Sequence, residues 1–261
     1  MTKIVKAFPF CIKVGLDKCM IKEITSAENS IVKQVKKLKM KSERTALNLY
    51  VAEGKRIVAD AILAGVVKYV VTTFDCDIFS VTYKVKESIF EKISDTKSPQ
   101  GVLAVCEMKQ MPIPEKGDIV VCDGISDPGN LGTIIRTAEC SGFCGVVLIN
   151  NCVDKYNGKT VRSTMGSLFR LPIAELSVSE FLDLKGYTKA VTMLDGAVDI
   201  FSVNKPGGNV ALVVGSEAFG VCEQVKQNAD LPVKIPMSGK AESINAAVAA
   251  GIAMYAVKNW E

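Results

Sequence analysis

The sequence predicts an α/β protein in two parts, a small N-terminal α/β domain followed by a larger C-terminal α/β domain with a mainly parallel sheet. Three observations predict it. Short β-branched apolar runs alternate with stretches of helical spacing along most of the 261 residues. The order run, helix, run between 119 and 149 is that of a βαβ unit. A segment carrying Pro112, Pro114 and Lys116 separates the two halves. Hydrophobic residues make up 48% of the chain, which suffices for the cores of a small and a medium domain.

Residues 1–20 mix Phe8, Pro9 and Phe10 with lysines and show no period, so they read as an N-terminal extension of uncertain order. The first domain spans 21–107. Thr25 and Glu28 have capping-box spacing and mark the start of an amphipathic basic helix. Ile31, Val35 and Leu38 recur there at helical spacing, while Lys33, Lys36, Lys37, Lys39, Lys41 and Arg44 take the remaining positions. Such a face is either a solvated lysine surface or a contact for a polyanion, and the mild net charge of +4 does not choose between them. A helix is expected over 57–63, with strands over 69–73 and 101–106, the second after the turn signal Ser98-Pro99. A linker over 108–117 leads to the second domain, 118–261. Its expected elements are a buried strand at 119–122, a helix at 131–140, a strand at 146–149, and further apolar runs at 210–214 and 232–235. A terminal helix from about 243 to 258 is apolar on nearly all sides, so it must be buried in a core or against a partner subunit.

Composition excludes several kinds of chemistry. With no histidine, Ser-His-Asp triads, histidine metal sites and histidine acid-base pairs are impossible. The nine cysteines form no CxxC pair, and Cys140 and Cys144 lie one helical turn apart with no imidazole to complete a zinc site. They read as buried reduced thiols, and no metal is expected. The absence of a secretory signal and of a long uncharged apolar run leads to the expectation of a reducing cytoplasm and no membrane role.

Three blocks in the second half carry the chemistry. Residues 123–136, DGISDPGNLGTIIR, follow a strand and open a helix, the place where open α/β sheets bind ligands. Their glycines do not fit GxGxxG. Asn130 and Arg136 could both face a site, with the guanidinium free to hold a phosphate; a plain structural loop is the alternative. Residues 214–220, VGSEAFG, end an apolar strand in a glycine-flanked turn with one carboxylate, suited to backbone contact with a small ligand or simply to a tight turn. Residues 235–245, IPMSGKAESIN, place Glu242, Ser243 and Asn245 at the entry of the terminal helix. Glu242 or Ser243 would cap it, which leaves Asn245 without an evident structural purpose. The triplet Gly158-Lys159-Thr160 looks like the end of a P-loop, but Val153 stands where its first glycine belongs, so a nucleotide triphosphatase is disfavoured.

Together and in this order, the three blocks resemble the signature motifs of the SpoU-type 2′-O-methyltransferases of the SPOUT superfamily, the α/β-knot enzymes. Asn130, Gly132 and Arg136 match the first motif, Gly215, Glu217 and Gly220 the second, and Ile235, Pro236, Met237, Ser243 and Asn245 the third. The stretch from Lys159 through Arg162 to Met165-Gly166 is similar to the family's intervening segment. Val51-Ala-Glu53-Gly54 and residues 95–102 resemble a small domain that binds ribosomal or transfer RNA. The chain departs from the pattern at Gly158, where proline is common, and at Ala246-Ala247, where Val-Ser often follows the asparagine.

The resemblance implies a C-terminal domain tied into a trefoil knot, a homodimer through that domain with part of each site supplied across the interface, and S-adenosylmethionine as cofactor. Gly215, Ile235 and Ile244 would hold the cofactor largely through backbone groups, with Val214, Met237 and Asn245 around them. Arg136, Asn130, Glu217, Ser243 and Asn245 would form the catalytic site. Arg136 is the family's candidate for handling the hydroxyl proton, yet a guanidinium is a poor base near neutrality, so the expected role is to clamp the adjacent phosphate and orient the hydroxyl. The substrate would be RNA, because DNA lacks the 2′-hydroxyl. Lys33, Lys36, Lys37, Arg44, Arg136 and Arg162 are the candidate RNA contacts. Ribosomal RNA is favoured over transfer RNA, and a non-catalytic RNA-binding assembly factor is the reading from another class.

Overall fold

The computed structural model describes residues 3–4, 13–14, 20–76, 79–239 and 243–260. Of the extension expected over 1–20, only the short pair β1 (Lys3–Ile4) and β2 (Lys13–Val14) and residue Met20 fall among these. The chain divides into two compact units, and the first break falls between Lys109 and Gln110, inside the span expected as a linker. Residues Tyr156–Phe169, expected in the second domain, pack with the first. Linear order could not reveal that excursion.

The first unit is built on a five-stranded sheet. Its elements are β3 (Met20–Ile24), α1 (Ser30–Lys37), α2 (Lys41–Leu47), β4 (Leu49–Glu53), α3 (Lys55–Leu63), β5 (Val67–Thr72), β6 (Val81–Val85), α4 (Glu87–Phe90) and β7 (Val102–Glu107). The strand order is β3-β6-β5-β7-β4, parallel on the β3 side and antiparallel on the β4 side. Val32, Val35 and Leu38 of the first helical segment bury against Leu103, Val105 and Phe90. The helix start differs from the capping box expected at Thr25 and Glu28. Asn29 is the cap, its side-chain oxygen accepting the Ile31 amide at 2.9 Å.

The single basic helix expected here is two helices, and Arg44 explains the break. Its Nη1 donates to the Leu38 and Lys39 carbonyls at 2.9 and 2.8 Å, the groups left open where α1 ends. With only 4% of its surface exposed, Arg44 is part of the core and not an RNA contact, which corrects the expectation from sequence. Arg44→Ala should lower stability by about 2–3 kcal/mol, since it removes charged hydrogen bonds and strands two carbonyls. Urea denaturation would measure this.

The second unit holds a seven-stranded, all-parallel sheet in the order β10-β9-β8-β13-β11-β14-β12. Its elements are β8 (Ile119–Asp123), α5 (Pro128–Cys140), β9 (Gly145–Ile149), β10 (Ile173–Glu175), α7 (Val178–Leu182), β11 (Tyr187–Thr192), β12 (Val198–Asp199), β13 (Asn209–Gly215), α8 (Glu223–Gln227), β14 (Leu231–Lys234) and α9 (Ala246–Lys258). Between β9 and β10 the chain enters the first unit as α6 (Gly158–Ser163), where Tyr156 stacks near Tyr50 with ring centroids 4.6 Å apart. The central strands β8 and β9 are buried along their whole length and β13 from Val210 to Val214, as a sheet covered on both faces requires.

From β8 the sheet grows one way through β9 and β10 and the other way through β13, so its topological switch point lies between β8 and β13. Ligands of open parallel sheets bind beyond the carboxyl ends of such strands. Those ends are Asp123, which begins the first block, and Gly215, the second residue of the second. The terminal helix α9 packs on α5 and β13. It buries Ala250, Ala253, Met254 and Val257 but exposes Val248 and Tyr255, so one face is core and the other is open. Among the described residues no helix is long and apolar enough to cross a membrane.

Candidate active site

The first block is positioned by the start of α5. Asp127 caps the helix, its carboxylate accepting the Asn130 amide at 2.8 Å, and Pro128 occupies the first turn, where no amide is missed. This fixes the Asn130 side chain at the helix mouth. Its Nδ2 donates to Glu217 Oε1 of the second block. Its Oδ1 accepts from Asn245 Nδ2 of the third block at 3.1 Å. Three segments separated by 87 and 115 residues therefore meet in one ladder of amides and a carboxylate.

Asn245 also has the structural purpose that its sequence position did not reveal. It is the N-cap of α9, its Oδ1 accepting the Ala247 and Val248 amides at 3.0 and 3.2 Å. The cap expected at Ser243 is thereby corrected, and Glu242 lies outside the described residues. One amide both ends the loop and reaches across to Asn130.

Beside this ladder opens a cleft of about 680 Å³. Val214, Gly215, Ile235, Met237 and Ile244, all expected to hold cofactor, line it, as do Glu217 and Ser243. The sequence reading missed Glu223, Lys226 and Gln227 of α8, and a further wall, Thr192 to Asp195, at the end of β11. Its signal was the apolar stretch 190–194 before Asp195-Gly196, which marks a strand end but no ligand. Gly215 is required by close approach: a Cβ there would collide with the backbone of Gly220 and Val221. The loop after β13 turns back on itself through the Gly220 amide donating to the Ser216 carbonyl at 2.9 Å.

Arg136 is exposed on α5, six residues beyond Asn130, and does not line the cleft. No hydrogen bond or ion pair joins its side chain to another described residue. Lys33 is exposed and ion-paired with Glu28 at 2.8 Å; Lys37 is exposed and Lys36 half-buried. Arg162 lines a small polar pocket of about 200 Å³ within the first unit, together with Lys39, Lys159 and Asp95. Gly158, the departure from proline, makes room there, because a Cβ would press on the Asp95 carboxylate at 3.0 Å. The segments around Glu53 and Asp95 are joined as well. The buried Glu53 carboxylate accepts from Ser94 Oγ, from Thr96 Oγ1 at 2.8 Å and from the Asp95 amide at 2.9 Å.

The two cysteines beside the end of β8, Cys122 and Cys152, are not primed for nucleophilic work. Burial pushes the Cys152 thiol up to about 11, and Cys122, wholly buried, is raised further from its ordinary range.

The sequence profile of the SpoU rRNA Methylase family matches residues 118–255, and that of the MRM3-like substrate binding domain matches 29–104. The chain belongs to the SpoU rRNA methylase family. A 23S rRNA (guanosine(2553)-2′-O)-methyltransferase, RlmP, of Bacillus subtilis is 35% identical over 245 residues, covering 90% of this chain and 98% of that one. The AdoMet-bound rRNA methyltransferase from Sinorhizobium meliloti superposes with a TM-score of 0.85 at 32% identity, covering 91% of this chain and 97% of that chain. The SpoU methyltransferase AviRb from Streptomyces viridochromogenes, solved with the cofactor AdoMet, gives 0.78 at 25% identity over 88% and 97% of the two chains. As a SpoU family member, the chain thus pairs an N-terminal substrate-binding domain with a C-terminal methylase domain.

Proposed function

We propose that the protein transfers the methyl group of S-adenosylmethionine to a ribose 2′-hydroxyl of ribosomal RNA. The observation that carries this reading is the ladder Glu217–Asn130–Asn245 at the edge of the 680 Å³ cleft, in a chain of the SpoU family. The names of its relatives favour ribosomal over transfer RNA.

The cleft fits such a cofactor. Its volume lies inside the roughly 300–1,000 Å³ range of small-molecule sites. Val214, Ile235, Ile244 and Ala246 give it apolar lining, and Asp195 and Glu217 offer negative charge to a cation, whereas Glu223 is ion-paired with Lys226 on the same wall. When bound, S-adenosylmethionine supplies a methyl group on a sulfonium, so that a neutral thioether can leave. Gly215, Ile235 and Ile244 would hold it through backbone groups, with Val214 and Met237 against its apolar parts. Glu217, Asn130, Ser243 and Asn245 shape the place where the ribose hydroxyl stands. Arg136 clamps the neighbouring phosphate and orients that hydroxyl. Positioning of this kind can be worth roughly 7–11 kcal/mol of barrier.

Lys33, Lys36, Lys37 and Arg162 are proposed as RNA backbone contacts, supported by their exposed or half-exposed placement. A homodimer through the second unit is supported by the open apolar face of α9, where Tyr255, Ile252 and Trp260 line a hollow of about 290 Å³ with Phe201. Tyr255→Glu should dissociate it, as sedimentation equilibrium would record. Family membership supports the trefoil knot and a cytoplasmic setting where ribosomes are made.

Labelled methyl transfer to unmodified ribosomal RNA and, separately, to transfer RNA, followed by nucleoside analysis for 2′-O-methylribose, tests the proposal. Label in ribosomal RNA is expected. Label in transfer RNA alone would overturn the substrate, and cofactor binding without label in either RNA would turn the reading toward an assembly factor.

A further inference from the structure

The loop that carries Glu217 leaves β13 at Gly215 and ends at Cys222, the cap position of α8. Both of its ends are fastened to one residue. Asp123, at the end of β8, pairs in register with Gly215 through the backbone. Its carboxylate then reaches the other end, Oδ2 accepting the Cys222 amide at 2.8 Å. The remaining oxygen, Oδ1, accepts from Asn150 Nδ2 at 2.7 Å, and Asp123 also pairs in register with Ile149 at the end of β9. The residue is 3% exposed, so these bonds are shielded from water. Asn150 holds its amide toward the carboxylate from a left-handed backbone conformation, φ 53°. A buried carboxylate is costly unless its lone pairs are met, and here they are met by donors from the turn after β9 and from the cap of α8.

We infer that Asp123 is the positioning residue of the cofactor loop, whose carboxylate, by closing the loop at Cys222, sets where Glu217 stands against Asn130. The inference rests on the cleft being the S-adenosylmethionine site. Asp123 lies outside the cleft lining and acts only through the loop.

Two independent substitutions cut the same bond. Asp123→Ala removes the acceptor. Cys222→Pro removes the donor, at a residue whose φ of −65° already suits proline. Each should weaken S-adenosylhomocysteine binding by about 10–100-fold, the loss expected for one buried hydrogen bond to a charged group. Cys222→Ala keeps the amide and loses only the thiol, which also touches the Asp123 carboxylate, so it should still bind about tenfold more tightly than Cys222→Pro. Asp123→Asn should recover most of the affinity, because its amide oxygen can still accept from Cys222 while Asn150 turns its own amide. Calorimetric titration reads the affinities, and thermal unfolding confirms that each variant is folded. If Asp123→Ala fails to fold, the comparison of Cys222→Pro with Cys222→Ala decides alone. Equal affinity in those two variants overturns the inference. So does Asn150→Gly weakening binding as much as Cys222→Pro, since the carboxylate would then act on the sheet edge in general. Failure of the wild-type protein to bind the ligand would instead overturn the cofactor reading itself.

Discussion

Gly215→Ala is expected to abolish cofactor binding while leaving a folded protein. The added Cβ would overlap the Gly220 carbonyl carbon and the Val221 nitrogen, which are backbone atoms with no rotamer to yield. The strand behind Gly215 cannot retreat, because Val210 to Val214 are buried and Ala211 to Val213 are paired on both sides, with β8 and with β11. The loop of Glu217 must therefore move outward into the cleft, losing the Gly220 to Ser216 hydrogen bond. Overpacking of this kind costs about 1–3 kcal/mol of stability, within what a domain of this size withstands. Wild-type protein with S-adenosylhomocysteine at 100 times its dissociation constant should gain about 2.7 kcal/mol, and Gly215→Ala none. Gly220→Ala is the contrast. Its φ of 65° is unfavourable for alanine, but a Cβ there meets nothing, so the melting temperature should fall with most of the ligand response kept.

The sheet at the centre of the second unit was legible in the sequence because burial on both faces makes β8, β9 and β13 continuous apolar runs. Strands β4 and β6 of the first unit were not individually legible. Leu49–Glu53 abuts helices on both sides, and Val81–Val85 carries Thr82 and Lys84 among its apolar residues. In the site, the second and third blocks could be read because glycines and polar residues mark where the apolar runs of β13 and β14 end. The wall at Thr192 could not, since nothing local distinguishes it until β11 is seen between β13 and β14. Arg44 and Asn245 failed in opposite directions for one reason. The pattern shows which residue is charged or amide-bearing, but which carbonyl or helix end lies within its reach is set by the tertiary path of the chain. Arg44 turned inward to two open carbonyls, and Asn245 took a cap that sequence offered equally to its neighbours.

Arg136→Lys should lower turnover by about 100-fold or more, in the range seen when one positioned transition-state donor is lost. Lysine keeps the charge but not the planar fork that can grip a phosphate in two places. Arg136 lies outside the cleft, so the affinity for S-adenosylhomocysteine should be unchanged. Arg136→Ala should in addition reduce the salt dependence of RNA binding by about one unit of slope. Near wild-type turnover in Arg136→Lys would sink the clamp. The exposed position of Arg136, unpartnered among the described residues, gives the experiment a second use. If the site is shared across a homodimer, mixing inactive Arg136→Ala subunits with cofactor-blind Gly215→Ala subunits restores activity. Each mixed dimer then has one site built from an intact arginine of one subunit and an intact cleft of the other, so an equal mixture should reach about a quarter of wild-type turnover. If each subunit completes its own site, no mixture can assemble an intact one, and the mixed protein stays as inactive as its parents.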